Sequence, residues 1–240
     1  MRVVSLVPSI TETLLAWGVD VVACTRFCEQ PDIPHVGGTK DPDVAAIVAL
    51  APDLVVVDRE ENRREDADAL VHEGLRCHVT HVRSVTDVVP ELDRLAAAVG
   101  VDGHLALSSE SRRAMQTSAP ALANRRSAFV PIWRRPWMTI GADTYGSSLL
   151  AALGVDNVVA DHPDRYPTIE PAAVASRRPD LVLLPSEPYP FAERHVPEIT
   201  GMLPGARVVL VDGRDLFWWG VRTPGALERL RRQLVGSASP

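Results

Sequence analysis

Cysteine is scarce in this chain. Cys24, Cys28 and Cys77 are the only three among 240 residues, an odd number unsuited to a disulfide framework. Cys24 and Cys28 offer two thiols with no second pair nearby, weak grounds for zinc, so small buried side chains are the better reading. Positive charge is in deficit: 25 Lys and Arg against 31 Asp and Glu give a formal charge of −6, with no long basic run. That argues against duplex nucleic acid, whose binding is dominated by phosphate neutralisation. No stretch reaches the roughly 18 apolar residues that span a bilayer. Met1-Arg2 leads straight into VVSLV without a charged leader, apolar core or cleavage site. The chain as written is therefore expected in the cytoplasm, and outside it if a leader has been removed. Catalytic signatures are missing too: no Gly-x-Ser-x-Gly elbow, Walker loop or dinucleotide glycine fingerprint, and no HxxxH or HExxH spacing for a tightly held bare zinc or manganese ion. Asp143 with Tyr145, and Glu12 with Arg26, are the remaining acid–base pairs, and their spacing says nothing specific. The chain is read as a binding protein, not an enzyme.

What the chain does have is a duplication. Leu14 to Val22 reads LLAWGVDVV and Leu150 to Val158 reads LAALGVDNV, sharing six of nine positions. Ala45 to Val57 ends in PDLVVV, and Ala172 to Leu184 ends in PDLVLL. The copies lie 136 residues apart in the first block and 127 in the second, so one order of elements occurs twice. That implies two similar lobes rather than a solenoid, and a cleft between lobes is a usual place for a small ligand.

Strand and helix signals alternate. Short β-branched runs at Val3 to Val7, Asp20 to Cys24, Leu54 to Val57 and Cys77 to Val82, with helical patterns between, predict a mostly parallel sheet. Ser9 and Glu12 form a capping-box pattern ahead of a helix over Thr11 to Trp17, closed by Gly18. Val44 to Leu50 reads as a short helix ended by Pro52. Thr86 to Val99 and Asp102 to Ala119 read as helices with no flexible linker, a spine that would run roughly 30 Å over about twenty residues and let the lobes move little. Strand signals resume at Ala128 to Pro131, Met138 to Ile140, Leu181 to Leu184 and Val208 to Val211; Leu227 to Leu234 closes the chain as a helix before a frayed GSASP tail. The expected division is a first lobe over 1–84, a helical spine over 85–125 and a second lobe over 126–240.

VSLVPSITETLLAWGVD at the start, VGGTKDPDVAAIVALAPDLVVV after it, the helical spine and the duplicated lobes resemble the helical-backbone substrate-binding proteins of ABC importers, including the helical backbone metal receptors. The resemblance implies an α/β fold of two similar Rossmann-like lobes joined by one long helical backbone, with the ligand in the cleft between them. It implies reversible binding of cobalamin, haem or a ferric siderophore as ligand, no required cofactor, and an ABC permease as partner. A cytoplasmic corrinoid- or tetrapyrrole-handling protein without a permease is the second reading, an enzyme on the same fold a third.

Loops at the C-terminal ends of strands are expected to bind. In the first lobe these carry Ser9, Arg26, Phe27, Thr39, Lys40 and Asn62; in the second, Trp133, Arg134, Arg135, Trp137, Arg165, Tyr166, Tyr189, Phe217 and Trp218. Ten of the twelve aromatics follow residue 128, which suggests a flat apolar face for a planar ligand. The arginines, with Arg222, suit carboxylates and ring stacking. His35 or His162 could reach a haem or corrinoid metal, although a surface histidine is the commoner case; His72, His78, His81 and His104 sit on helix or strand patterns. By the resemblance, Glu61 and Glu65 on one lobe and Glu187 and Glu193 on the other would dock a permease; a solvated helix start explains the first pair equally well.

Overall fold

A computed structural model describes residues 1–102, 107–116 and 125–235. The chain forms two compact units. The first comprises Met1–Val82, Asp87–Arg112 and Trp219–Val221; the second comprises Arg83–Thr86, Arg113–Trp218 and Arg222–Pro240.

In the first unit, β1 (Arg2–Ser5), α1 (Pro8–Ala16), β2 (Asp20–Cys24), α2 (Val44–Ala49), β3 (Leu54–Asp58), α3 (Arg64–His72) and β4 (Cys77–Thr80) alternate. Their sheet is parallel throughout, in the order β2-β1-β3-β4. All five residues of β3 are buried, as a strand covered on both faces requires. Val4, Leu6, Val55 and Val57 meet Ile47 and Leu70 of the flanking helices in one core. The start of α1 differs from expectation. Pro8, whose locked φ suits a first helical position, opens the helix with Val7 as cap. Ser9 therefore lies inside the helix, and no capping box forms.

Along the chain between β4 and the next strand come α4 (Val85–Val99), close to the expected Thr86–Val99, and α5 (Ser109–Gln116), which falls within the expected second helix. At 15 residues α4 runs about 22 Å. Gly100, at φ 72°, ends it with Val101 N–H returning to the Ala96 carbonyl at 2.9 Å, the left-handed stop that glycine favours. Pro90 sits inside α4. His104 and the expected helical residues 103–106 and 117–119 lie outside the described residues, as does the GSASP tail.

The second unit has β5 (Arg126–Phe129), β6 (Pro131–Trp133), β7 (Met138–Thr139), α6 (Tyr145–Ala152), β8 (Val155–Asn157), α7 (Pro171–Ser176), β9 (Leu181–Pro185), a 3-10 turn (Glu193–His195), α8 (Val196–Met202), β10 (Arg207–Val211), α9 (Gly213–Phe217) and α10 (Thr223–Val235). Its main sheet runs β8-β5-β9-β10 and is again wholly parallel. That is the first unit's order, with β5 in the place of β1, β8 of β2, β9 of β3 and β10 of β4.

Register locates where the copies diverge. Val3 faces Leu54 and Ala128 faces Leu181, so the first strands are offset by 125 residues and the third by 127. The helix between them is offset by 136. The second unit has therefore gained residues between its first strand and first helix, and that gain is the β6–β7 hairpin. It has lost residues after the second strand, where the first unit carries the long loop from Thr25 to Pro42.

Candidate functional site

The inserted hairpin gathers the side chains that composition singled out. Trp133, at the end of β6, is 44% exposed and meets the edge of Tyr189 at 5.5 Å. Arg134 pairs with Glu198 at 2.8 Å and hydrogen-bonds the Tyr189 hydroxyl. Arg135, exposed in the turn at φ 66°, makes no ion pair among the described residues. Trp137 turns inward, stacked on buried Phe191 at 6.2 Å and packed against the core of Phe129 and Val182. Tyr189 and Phe191 lie 4.7 Å apart, and buried His195 stands against both rings at 5.6 and 5.4 Å. Its Nδ1 accepts the Ala192 N–H, which fixes the ring. The hairpin and the loop after β9 thus form one aromatic wall with Trp133 at its open end.

Arg165 and Tyr166 run beside this hairpin. Thr139 N–H bonds the Pro167 carbonyl at 3.0 Å and Gly141 N–H the Arg165 carbonyl at 2.7 Å. Arg165 lies over the Tyr166 ring at 5.6 Å and binds the Asp143 carbonyl through Nε. Phe217 and Trp218 belong elsewhere: Phe217 covers Gly146 at the start of α6, and Trp218 lies under Arg222 at 5.7 Å. Arg222 itself is held by buried Asp215 at 2.7 Å.

In the first unit the long loop folds back on itself. Arg26 N–H bonds the Gly37 carbonyl, and the Arg26 guanidinium reaches Asp41 at 3.0 Å while covering Phe27 at 4.8 Å. Both partners of that ion pair are half exposed, so it contributes little and opens easily. Lys40 bonds the Glu60 carbonyl. Asn62 is buried; its Oδ1 accepts Asp58 N–H at 2.8 Å and its Nδ2 donates to the Leu6 and Thr39 carbonyls at 3.1 and 2.9 Å. Ser9 is buried in α1, its carbonyl accepting the Thr13 hydroxyl. The loop depends on Gly37, at φ 90°, where an added Cβ would lie 2.4 Å from the Asp41 carbonyl oxygen. Gly37→Ala should cost about 2 kcal/mol from this strain. Gly38→Ala, which presses only on the side-chain ends of Asp41 and Arg26, should cost less. Urea denaturation of both variants checks it, and equal losses would mean the turn adapts.

The histidines are engaged locally. His35 Nε2 pairs with the Gln30 carbonyl, and His162 Nδ1 takes the Asp164 N–H. Among the described residues no three His, Cys, Asp or Glu side chains gather as a metal site, and no helix is long and apolar enough to cross a membrane. Asp143 pairs with Arg83 and Arg165, whereas the Tyr145 hydroxyl is buried against Thr223. Glu61, Glu65 and Glu193 are exposed; Glu187 is partly covered, its backbone close against Gly213. Two features escaped the sequence reading. His195 joins the aromatic wall, which its place four residues after Phe191 hinted at. Cys28 lies between the hydroxyls of Thr11 and Thr25 at 3.2 and 3.1 Å.

The profile of the periplasmic binding protein family matches residues 3–188. The vitamin B12-binding protein of Yersinia pestis (strain Pestoides F) is 24% identical over 195 residues, covering 76% of this chain and 69% of that protein. Among solved structures, the periplasmic vitamin B12 binding protein BtuF of Vibrio cholerae superposes with a TM-score of 0.80 at 19% identity, covering 97% of this chain and 96% of its own. The periplasmic heme binding protein HutB of Vibrio cholerae gives 0.82 at 19% identity, with 98% and 99% covered. The superpositions extend over nearly the whole chain, and the profile covers well over half of it and most of both parallel sheets: the chain belongs to the periplasmic binding protein family.

Proposed function

We propose that this protein is the extracytoplasmic receptor of an ABC importer and binds a planar metal chelate, a corrinoid or a porphyrin. One observation carries the ligand class: the hairpin by which the second unit departs from the first presents an exposed indole, Trp133, two residues from Arg135, an exposed guanidinium with no ion pair among the described residues. A large ring with an apolar face and acidic or amide-bearing edges needs a flat surface and a nearby cation. Relatives whose names specify vitamin B12 and heme support the same class. Arg165 and Tyr166 extend this surface, and Arg26, Phe27 and Lys40 are the proposed polar and stacking contacts of the first unit. Glu61, Glu65, Glu187 and Glu193 are the proposed permease contacts.

Titrating cobalamin, haem and a ferric catecholate against the protein, followed by visible absorbance, tests the reading. Trp133→Ala should weaken binding of the preferred chelate by about 1–3 kcal/mol, a factor of roughly 5 to 150. Trp137→Ala should instead lower stability, because that ring is spent on Phe191. Unchanged affinity in Trp133→Ala for whichever chelate binds would remove the ligand face from the hairpin.

A further inference from the structure

We propose that Cys24 and Cys28 are a redox couple, closing to a disulfide across the turn that carries Arg26 and Phe27. The geometry is local and needs no ligand. Cys24 ends β2 and is fixed there, its N–H on the Pro34 carbonyl and its own carbonyl accepting Val36 N–H. The chain then turns: Cys28 N–H bonds the Thr25 carbonyl at 3.1 Å and Phe27 N–H the Thr25 hydroxyl at 3.3 Å. That turn folds Cys28 back, so the two thiols are free, buried and hydrogen-bonded to each other. A disulfide asks for Cα atoms roughly 4.4–6.8 Å apart, and two thiols in hydrogen-bond contact across one turn are placed to meet that requirement. Since β2 anchors one sulfur and the other, though buried, belongs to the turn that follows, closure moves the turn and leaves the sheet alone.

The two sulfurs are unequal, which gives the reaction a direction. The hydrogen bond from Cys24 and the hydroxyls of Thr11 and Thr25, 3.2 and 3.1 Å from the Cys28 sulfur, favour its thiolate and hold it below the ordinary range, whereas that bond and burial push Cys24 up. Cys28 is therefore the nucleophile. With hydrogen peroxide as oxidant, the Cys28 thiolate attacks one oxygen, the O–O bond breaks, and a sulfenic acid forms while hydroxide takes up a proton to become water. The Cys24 sulfur then attacks Cys28, the S–S bond forms as the S–O bond breaks, and the departing hydroxide carries off the Cys24 proton as a second water. Two thiols and one peroxide give one disulfide and two waters. The product withdraws Cys28 from Thr11 and Thr25 and encloses Arg26 and Phe27 in a closed ring. Cys77 has no sulfur partner among the described residues, and burial raises its pKa, so it stays reduced.

The test uses the folded wild-type protein, reduced and then exposed to hydrogen peroxide, alkylated in denaturant and mapped without reductant. The expected product is a peptide lighter by two hydrogens with Cys24 joined to Cys28, Cys77 alkylated, and both thiols restored by dithiothreitol. In Cys24→Ser the reaction should stop at the sulfenic acid, and dimedone should label Cys28; in Cys28→Ser, Cys24 should alkylate as in untreated protein. Full alkylation of Cys24 and Cys28 under peroxide that oxidises free dithiothreitol overturns the proposal, as does a link to Cys77 or between chains, or over-oxidation of Cys28 without a disulfide.

Discussion

Asp215→Ala should destabilise the protein by about 3 kcal/mol, among the largest losses expected of any single side chain here. Asp215 is 4% exposed and accepts Arg222 Nη1 at 2.7 Å, Arg229 Nε at 2.7 Å and Arg229 Nη2 at 2.6 Å. It thereby binds α9 to the start and first half of α10. Breaking a buried ion pair from one side costs about 3–5 kcal/mol because the remaining charge is stranded. The lower end applies here: Arg222 is well covered, whereas Arg229 is half exposed and recovers water. Nearby, the buried Tyr145 hydroxyl meets Thr223 at 3.0 Å, so the region has little room to rearrange. Arg229→Ala should cost under about 1 kcal/mol, as an exposed partner does. Urea denaturation distinguishes the two; a loss below about 1 kcal/mol in Asp215→Ala would show that Arg222 finds another acceptor. Because Arg222 covers Trp218, the variant should also shift indole fluorescence in the native state.

Asp215 also shows why part of the structure was hidden in the sequence. The duplicated phrases LLAWGVDVV and LAALGVDNV, and the two PDL runs, report local requirements: a helix closed by glycine, then a strand buried on both faces. Such requirements repeat whenever the element repeats, so both parallel sheets and their common order could be anticipated. Asp215 meets Arg229 only because α9 and α10 pack, and no spacing rule in a charged stretch marks which carboxylate will be buried. The start of α1 went astray for a different reason. Ser9 and Glu12 fit a capping pattern, but the locked φ of Pro8 lets the helix begin at Pro8, three residues before the expected Thr11. The first spine helix was legible for the same local reason as the duplicated phrases: its expected end at Val99 is where Gly100 takes the left-handed conformation that stops a helix.

The candidate site was legible by composition and less so by role. Ten late aromatics pointed to the second unit, yet composition cannot separate Trp133, which is exposed, from Trp137, which is stacked in the core. The distinction lies in place: Trp133 ends β6 opposite Met138, whereas Trp137, in the turn before β7, stacks on Phe191. Nor could spacing tell a spare arginine from an occupied one. Arg26, Arg134, Arg165 and Arg222 each have a carboxylate partner, and Arg135 has none among the described residues. A bound anion would therefore meet Arg135 without displacing an existing ion pair.

Asn62 carries the second large effect. Its amide makes three hydrogen bonds to three separate segments: the Leu6 carbonyl beyond β1, the Thr39 carbonyl in the glycine loop, and Asp58 N–H at the end of β3. With the side chain buried, Asn62→Ala leaves one donor and two acceptors to find water or go unpaired, at about 1–3 kcal/mol for each that stays dry. Thr39 is partly exposed and is rehydrated, so the total should be about 3 kcal/mol. Asn62→Asp should lose nearly as much, because it keeps the acceptor for Asp58 N–H but turns a second oxygen toward two carbonyls. Lys40→Ala, removing one exposed contact to the Glu60 carbonyl, should cost under about 1 kcal/mol. Denaturation supplies the energies, and hydrogen exchange at the Asp58 amide reports the site: protection should fall in Asn62→Ala and persist in Lys40→Ala. Wild-type stability with Asp58 still protected in Asn62→Ala would mean the three segments hold their places without the amide, leaving Asn62 to act as a ligand contact instead of a clamp.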